Sequence, residues 1–337
     1  TFEENKRTFT GCSVSAMVLT IVGLGVDAIG VNCSLGPDQL APIVEEIGKW
    51  SDIPVIVKAN AGLPDPVTNT YNVLPDEFAD TCKEMVKYGA KVLGGCCGTA
   101  TAYVAKLKEM VATVNASVVK KKPRQLAVCT PLKTVVVDQP RIVGERINPT
   151  GKKRFKQALR DNDMNYILSQ AIEQIDAGAD ILDVNVGSPD IDEKEMMVRV
   201  IKALQAIVDV PLQIDSTKPE VLEAALRVYN GKPIVNSVNG EEEVLDTILP
   251  IVAKYGGAVI GLALDENGIP PTAEGRVEIA KRIRDKAMSY GIPKEDIIID
   301  CLTLTVSAEQ KAAAETLKAM NIVKNELGLR TVLGVSN

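Results

Sequence analysis

The chain has 337 residues, more than the roughly 250–300 at which one core stops growing, so two domains are expected. Its 38 Lys and Arg against 44 Asp and Glu give a formal charge of -6, and no long basic block offers an electrostatic footprint for nucleic acid. No apolar run reaches the roughly 20 residues of a membrane span, and seven cysteines, two of them adjacent, form no secreted disulfide pattern.

A cytoplasmic, reducing setting and small-molecule work are therefore expected. Apolar residues make up 46% and aromatics 4%, with Ala, Val, Ile and Leu dominant, as in α/β proteins whose parallel strands are buried on both faces. The chain has no histidine, which removes imidazole bases, Ser-His-Asp triads and His-ligated zinc.

In chain order, the pattern predicts strands over 27–32, 53–58 and 90–93, with helices over 40–50, 76–88 and 100–112. The loop Ala59-Asn-Ala-Gly-Leu-Pro64 is turn-rich, as at the C-terminal face of a parallel sheet. The opening Thr1-Phe-Glu-Glu-Asn, without an initiator Met, reads as a loop after a missing strand, and the chain as a window of a longer protein. Residues 113–140 carry Pro123, Pro131 and Pro140 and suit an extended linker or surface hairpin. The basic run Lys120-Lys-Lys-Pro-Arg124 reads as solvated linker. A new domain begins near Arg141, with strands predicted over 142–145, 181–185, 212–215, 234–237, 258–262, 297–300 and 331–335. Helices over 166–177, 194–207, 219–229, 241–255 and 272–290 alternate with them, almost filling an eight-stranded barrel.

Two features carry chemistry. The first is Lys91-Val-Leu-Gly-Gly-Cys-Cys-Gly-Thr99, where Cys96 and Cys97 leave a short apolar strand just before a helix. A second strand, Asp27-Ala-Ile-Gly-Val-Asn-Cys33-Ser34, also ends in a cysteine. Parallel strands would bring three thiolates to one rim, a donor set for catalytic zinc with an open position. The alternatives are small buried hydrophobes or redox thiols. Cys12, Cys82, Cys129 and Cys301 are expected to be packing residues.

The second feature is a recurrence of polar residues at predicted strand ends: Glu145 and Asn148, Asp183 and Asn185, Asp215 with Ser216, Asn236 with Asn239, Asp300, and Asn337. Converging on one barrel mouth, they would suit a flat, nitrogen-rich heterocycle. Mg²⁺ binding is an alternative that Asn serves poorly, and helix capping is another, notably at Asp215-Ser-Thr-Lys-Pro219.

Together these runs resemble the cobalamin-dependent methionine synthase family. The matching segments are Gly30-Val-Asn-Cys-Ser-Leu-Gly36, Gly94-Gly-Cys-Cys-Gly-Thr99, Gly144-Glu-Arg-Ile-Asn-Pro-Thr150, Asp183-Val-Asn185, Ile214-Asp-Ser-Thr217, Asn236-Ser-Val-Asn-Gly240 and Gly334-Val-Ser-Asn337. The resemblance implies two (β/α)8 TIM-type barrels in tandem. Residues 1–118 would be the later part of a homocysteine-binding zinc barrel, 119–140 a linker, and 141–337 a methyltetrahydrofolate-binding barrel lacking its last βα unit.

The resemblance further implies Zn²⁺ on Cys33, Cys96 and Cys97, and pterin contacts from Asp215, Asn236, Asp300 and Asn337, with Glu145, Asn148, Asp183 and Asn185 around them. Asn337 is implied as the donor to N5, with Asp300 holding the ring. Cobalamin, the implied methyl carrier, would be held by domains absent from this chain or by a separate corrinoid protein. Two rival readings are a pterin enzyme related to dihydropteroate synthase and a binding module without catalysis of its own.

Overall fold

Short runs rich in Val, Ile and Ala form strands, and amphipathic stretches between them form helices. The computed structural model describes residues 1–115, 124–303 and 310–334. Within it two units separate, Thr1–Arg124 and Gln125–Asn337.

The first unit runs α1 (Val14–Gly23), β1 (Ile29–Asn32), α2 (Pro37–Trp50), β2 (Val55–Ala59), α3 (Pro75–Lys87), β3 (Ala90–Gly95) and α4 (Thr101–Val111). Its strands form a parallel sheet in the order β1-β2-β3. Pro37 and Pro75 open α2 and α3, where a missing N–H costs nothing. Leu40, Ile43 and Ile47 of α2 and Phe78 and Met85 of α3 bury against Val31, Val55 and Val57. Helix α1 is an addition to the predicted elements. Ser13 caps it by accepting the Ala16 N–H at 3.2 Å, a local signal that hydrophobic periodicity does not carry.

The second unit begins with an antiparallel pair, β4 (Ala127–Cys129) and β5 (Thr134–Val136). There follow β6 (Val143–Ile147), α5 (Lys153–Asp161), α6 (Met164–Asp176), β7 (Ile181–Val184), α7 (Glu193–Ile207), β8 (Leu212–Asp215), α8 (Pro219–Val228) and β9 (Ile234–Val238). The chain continues through α9 (Glu242–Tyr255), β10 (Ala258–Leu262), α10 (Ala273–Ser289), β11 (Ile297–Asp300), α11 (Gln310–Asn325) and β12 (Arg330–Val332). Strands β6 to β12 form one parallel sheet in strict chain order, the winding of a TIM-type barrel. Helices α5 and α11 are additions to the predicted set.

The period of two along these strands sorts their side chains into two layers. Leu182, Val184, Leu212, Ile214, Val235, Val259, Ile297 and Ile299 pack outward with helix residues such as Met197, Leu222, Leu249 and Ile283. Ile181, Ile234, Ala258, Ile260 and Ile298 form a separate inner cluster with Leu126, Val128 and Val135 of the β4–β5 hairpin.

That hairpin corrects the expectation for residues 113–140. It is a buried plug under the inner layer, with Cys129 and Lys232 exchanging backbone hydrogen bonds of 3.0 Å and the Tyr229 hydroxyl donating to the Cys129 carbonyl at 3.0 Å. Prolines mark the turns around it, while its apolar run is too short to reveal burial by periodicity. Lys120 to Pro123 lie outside the described residues, and Arg124 ion-pairs with Asp52. Among the described residues no helix is long and apolar enough to cross a membrane.

Candidate functional site

In the first unit the three sulfurs meet. Cys33 follows β1 and donates its N–H to the Lys58 carbonyl at 2.8 Å, while Cys96 follows β3 and donates to the Ala59 carbonyl at 2.7 Å. Both thus flank the end of β2, two strand spacings or about 9.6 Å apart along the sheet. The backbone closes this gap by turning back. Cys33 and Ser34 have φ of 64° and 66°, a left-handed conformation unfavourable for such residues, and the Leu35 N–H closes the turn on the Cys33 carbonyl at 2.9 Å.

On the other side Asn60, buried beyond β2, accepts the Cys97 N–H on Oδ1 at 3.1 Å, and the Ala61 N–H donates to the Cys97 carbonyl at 2.9 Å. Gly98 has φ of 78°, and a Cβ there would stand 2.3 Å from the Tyr71 ring. Only glycine fits this turn.

Cys33 Sγ and Cys97 Sγ are 3.5 Å apart, Cys96 Sγ and Cys97 Sγ 3.9 Å, and all three lie within 4.8 Å of one another. A tetrahedral zinc with bonds of about 2.3 Å requires sulfurs about 3.8 Å apart, so the residues fit that ion. The Ser34 N–H holds the Cys33 thiol below its usual range, whereas its neighbours Cys33 and Cys96 push Cys97 up. Such crowding of acidic thiols is relieved by a cation.

In the second unit the strand-end residues form two inward layers. Asp183 Oδ1 accepts from Gln213 Nε2 at 2.6 Å and from Asn236 Nδ2 at 3.3 Å. One layer on, Asn185 donates through Nδ2 to Asp215 Oδ2 at 2.9 Å and accepts the Gly187 N–H at 2.8 Å. Burial, with Asp215 beside it, pushes the Asp183 carboxyl up to about 7. Burial also raises Asp215 and Asp300. Asp300, at the end of β11, accepts the Leu302 N–H at 2.8 Å. This arrangement offers carboxylates and oriented amides to a polar ring.

Other predicted residues lie around that network, and the Glu145 charge helps to raise Asp183. Glu145 is exposed, 3.9 Å from Lys152 Nζ, and Asn148 accepts the Thr150 N–H at 2.8 Å in a turn. Asn239 braces the start of α9 through Glu241, and the Ser216 hydroxyl accepts the Lys218 N–H and donates to Glu193. Asn148, Asn239 and Ser216 thus have local turn and capping partners. Asn337 lies outside the described residues.

The comparisons with known proteins follow the same division. A family model described as homocysteine S-methyltransferase matches residues 1–111. A model described as pterin binding enzyme matches residues 144–337, more than half of the chain. The chain belongs to the pterin-binding enzyme family. It is 32% identical over 358 aligned positions to proteins named methionine synthase from Mycobacterium leprae and Mycobacterium tuberculosis, covering 100% of this chain. It spans 30% of the length of each of these curated relatives. A solved dihydropteroate synthase from Xanthomonas albilineans is 20% identical at a TM-score of 0.48, covering 62% of this chain and 77% of that one.

Three residues of these two units are not singled out by the sequence. Asn60 and Gln213 carried a usable signal: each is a polar residue at or next to a strand end, Gln213 two positions before Asp215 and hence on the same face. Arg276 carried none, since it sits in a helix dense with charges.

Proposed function

We propose that the chain is the part of a methionine synthase that handles both substrates, passing the methyl group of 5-methyltetrahydrofolate to homocysteine. In the net reaction the N5–CH3 bond breaks, an S–CH3 bond forms, and the thiol proton ends on N5, giving tetrahydrofolate and methionine. The observation that carries this reading is the meeting of Cys33, Cys96 and Cys97 in one small cluster, within a unit matched by a homocysteine S-methyltransferase model and joined to a pterin-binding unit.

Residues 1–118 take the homocysteine role and 141–337 the pterin role, with the β4–β5 hairpin that precedes Arg141 packed into the second unit. Cys33, Cys96 and Cys97 would hold Zn²⁺, whose chemistry is to keep an incoming thiol ionised near neutral pH. Asp215, Asn236 and Asp300 bind the pterin ring with Asp183 and Asn185 behind them, Glu145 and Asn148 at the rim, and Asn337 hydrogen-bonded to N5. A donor at N5 strengthens as the C–N bond breaks, so it acts on the rate more than on binding. Cobalamin, the expected methyl carrier, would be supplied by a further domain or a separate corrinoid protein, in the cytoplasm, where free thiols persist.

Calorimetric titration of this chain tests the reading. Saturable binding of 5-methyltetrahydrofolate, and of homocysteine only when zinc is present, is expected. Binding of a pterin pyrophosphate but of neither methyltetrahydrofolate nor homocysteine would replace it with a dihydropteroate synthase-like function.

A further inference from the structure

Arg276 is 1% exposed and heads the largest fully buried side chains of the described residues. It forms no ion pair among those residues; its guanidinium instead serves neutral oxygens. Nε donates to the Pro270 carbonyl at 3.0 Å, and Nη1 reaches the carbonyls of Cys301 and Leu302 at 2.9 Å and the Thr316 hydroxyl at 2.7 Å. A buried cation spent on backbone carbonyls holds a segment of chain in place, because guanidinium's fixed fork locks the acceptors it meets.

The segment it holds is the one that presents Asp300. Leu302 has φ of 59°, a left-handed conformation that a leucine avoids and that persists only where its surroundings over-determine it. Within the same turn the Leu302 N–H donates to Asp300 Oδ1 at 2.8 Å, and the positive φ directs the Leu302 carbonyl that follows. The Leu302 carbonyl is gripped by Arg276 and also lies 3.0 Å from the Thr316 hydroxyl of α11. Asp300 is thereby left with its second carboxylate oxygen to offer.

We propose that Arg276 is a positioning residue that locks the Cys301–Leu302 turn and so fixes the Asp300 carboxylate for pterin binding. The proposal rests on the pterin reading of this unit. Its test nevertheless separates the two, because Cys301 reports on the turn without any ligand. Cys301 and Cys129 are both buried in the same unit, and only Cys301 belongs to the turn.

In Arg276→Lys, alkylation of Cys301 by N-ethylmaleimide, followed by mass spectrometry of the ligand-free chain, should rise about tenfold through local opening while Cys129 stays protected. Affinity for 5-methyltetrahydrofolate should fall about tenfold, and millimolar guanidinium should restore part of it in Arg276→Ala. Thr316→Val, which removes one partner of the lock with little change of shape, should shift both readouts the same way by less. Exposure of both cysteines together, unchanged reactivity of Cys301, or selective exposure with unaltered folate affinity would each overturn the proposal. Selective exposure of Cys301 in a chain whose wild type binds no methyltetrahydrofolate would support the lock and sink the functional reading instead.

Discussion

Cys33 Sγ lies 3.5 Å from Cys97 Sγ although 64 positions separate the two residues. The contact exists because β1 and β3 flank β2 and because Cys33 and Ser34 both adopt left-handed backbone. A turn this unfavourable, placed to gather thiols, motivates the first prediction. The chain should bind one zinc through sulfur, with about 2.3 Å Zn–S distances and no imidazole scattering in X-ray absorption. Cys96→Ala should weaken zinc by at least about 100-fold, the upper range reached when even an outer-shell partner is lost. A competition titration with a chelator reads this out, and unchanged affinity would refute the ligand set.

Gly98 supplies a second test. Alanine there meets both a positive φ and the Tyr71 ring, so the cost should exceed the roughly 1 kcal/mol of the backbone alone. Because the strain falls next to Cys97, Gly98→Ala should lose zinc affinity more than it loses global stability. Equal zinc affinity in the two proteins would show that the turn is not part of the site.

Cys82 and Cys301 are buried, and burial pushes each thiol up to about 12. Neither belongs to the sulfur cluster. Cys82→Ala and Cys301→Ala should retain full zinc content and lose only about 1 kcal/mol to the small cavity. Zinc loss in a folded variant, measured by elemental analysis, would mean that the wrong thiols have been assigned.

Asp183 links the second unit to pH. Its carboxyl is raised from 3.8 to about 7 by burial and by Asp215, so the folded chain keeps a proton that the unfolded chain releases. This contribution is fully present below about pH 4 and is lost as pH rises through 7, by no more than about 4 kcal/mol. Asp183→Asn retains an acceptor for Gln213 and Asn236 and cannot ionise. Its urea midpoint should therefore exceed that of the wild type at pH 8 and approach it at pH 4. A wild-type midpoint that rises between pH 5 and 8 would contradict the raised carboxyl.

The alternation of apolar strands with amphipathic helices is local and periodic, and so it is legible in the sequence, as is the placement of Cys33, Cys96, Asp215 and Asp300 at strand ends. Those features depend only on neighbouring residues, which the chain displays directly. The buried hairpin of Leu126 to Val136 is not legible, because three-residue strands carry too little periodicity and their burial comes from Ile181, Ile234 and Ile298 far along the chain. Nor does sequence separate Asp183, buried with Gln213 and Asn236 around it, from the exposed Glu145. Both are acids in strands, and what separates them is that β6, which carries Glu145, lies at the edge of the sheet, whereas β7, which carries Asp183, has a strand on either side. The sequence by itself determined the α/β alternation and the chemical types at the strand ends. The tertiary structure decided which of them meet, because strand order and left-handed turns such as those at Cys33 and Leu302 bring distant atoms within hydrogen-bonding or metal-binding reach.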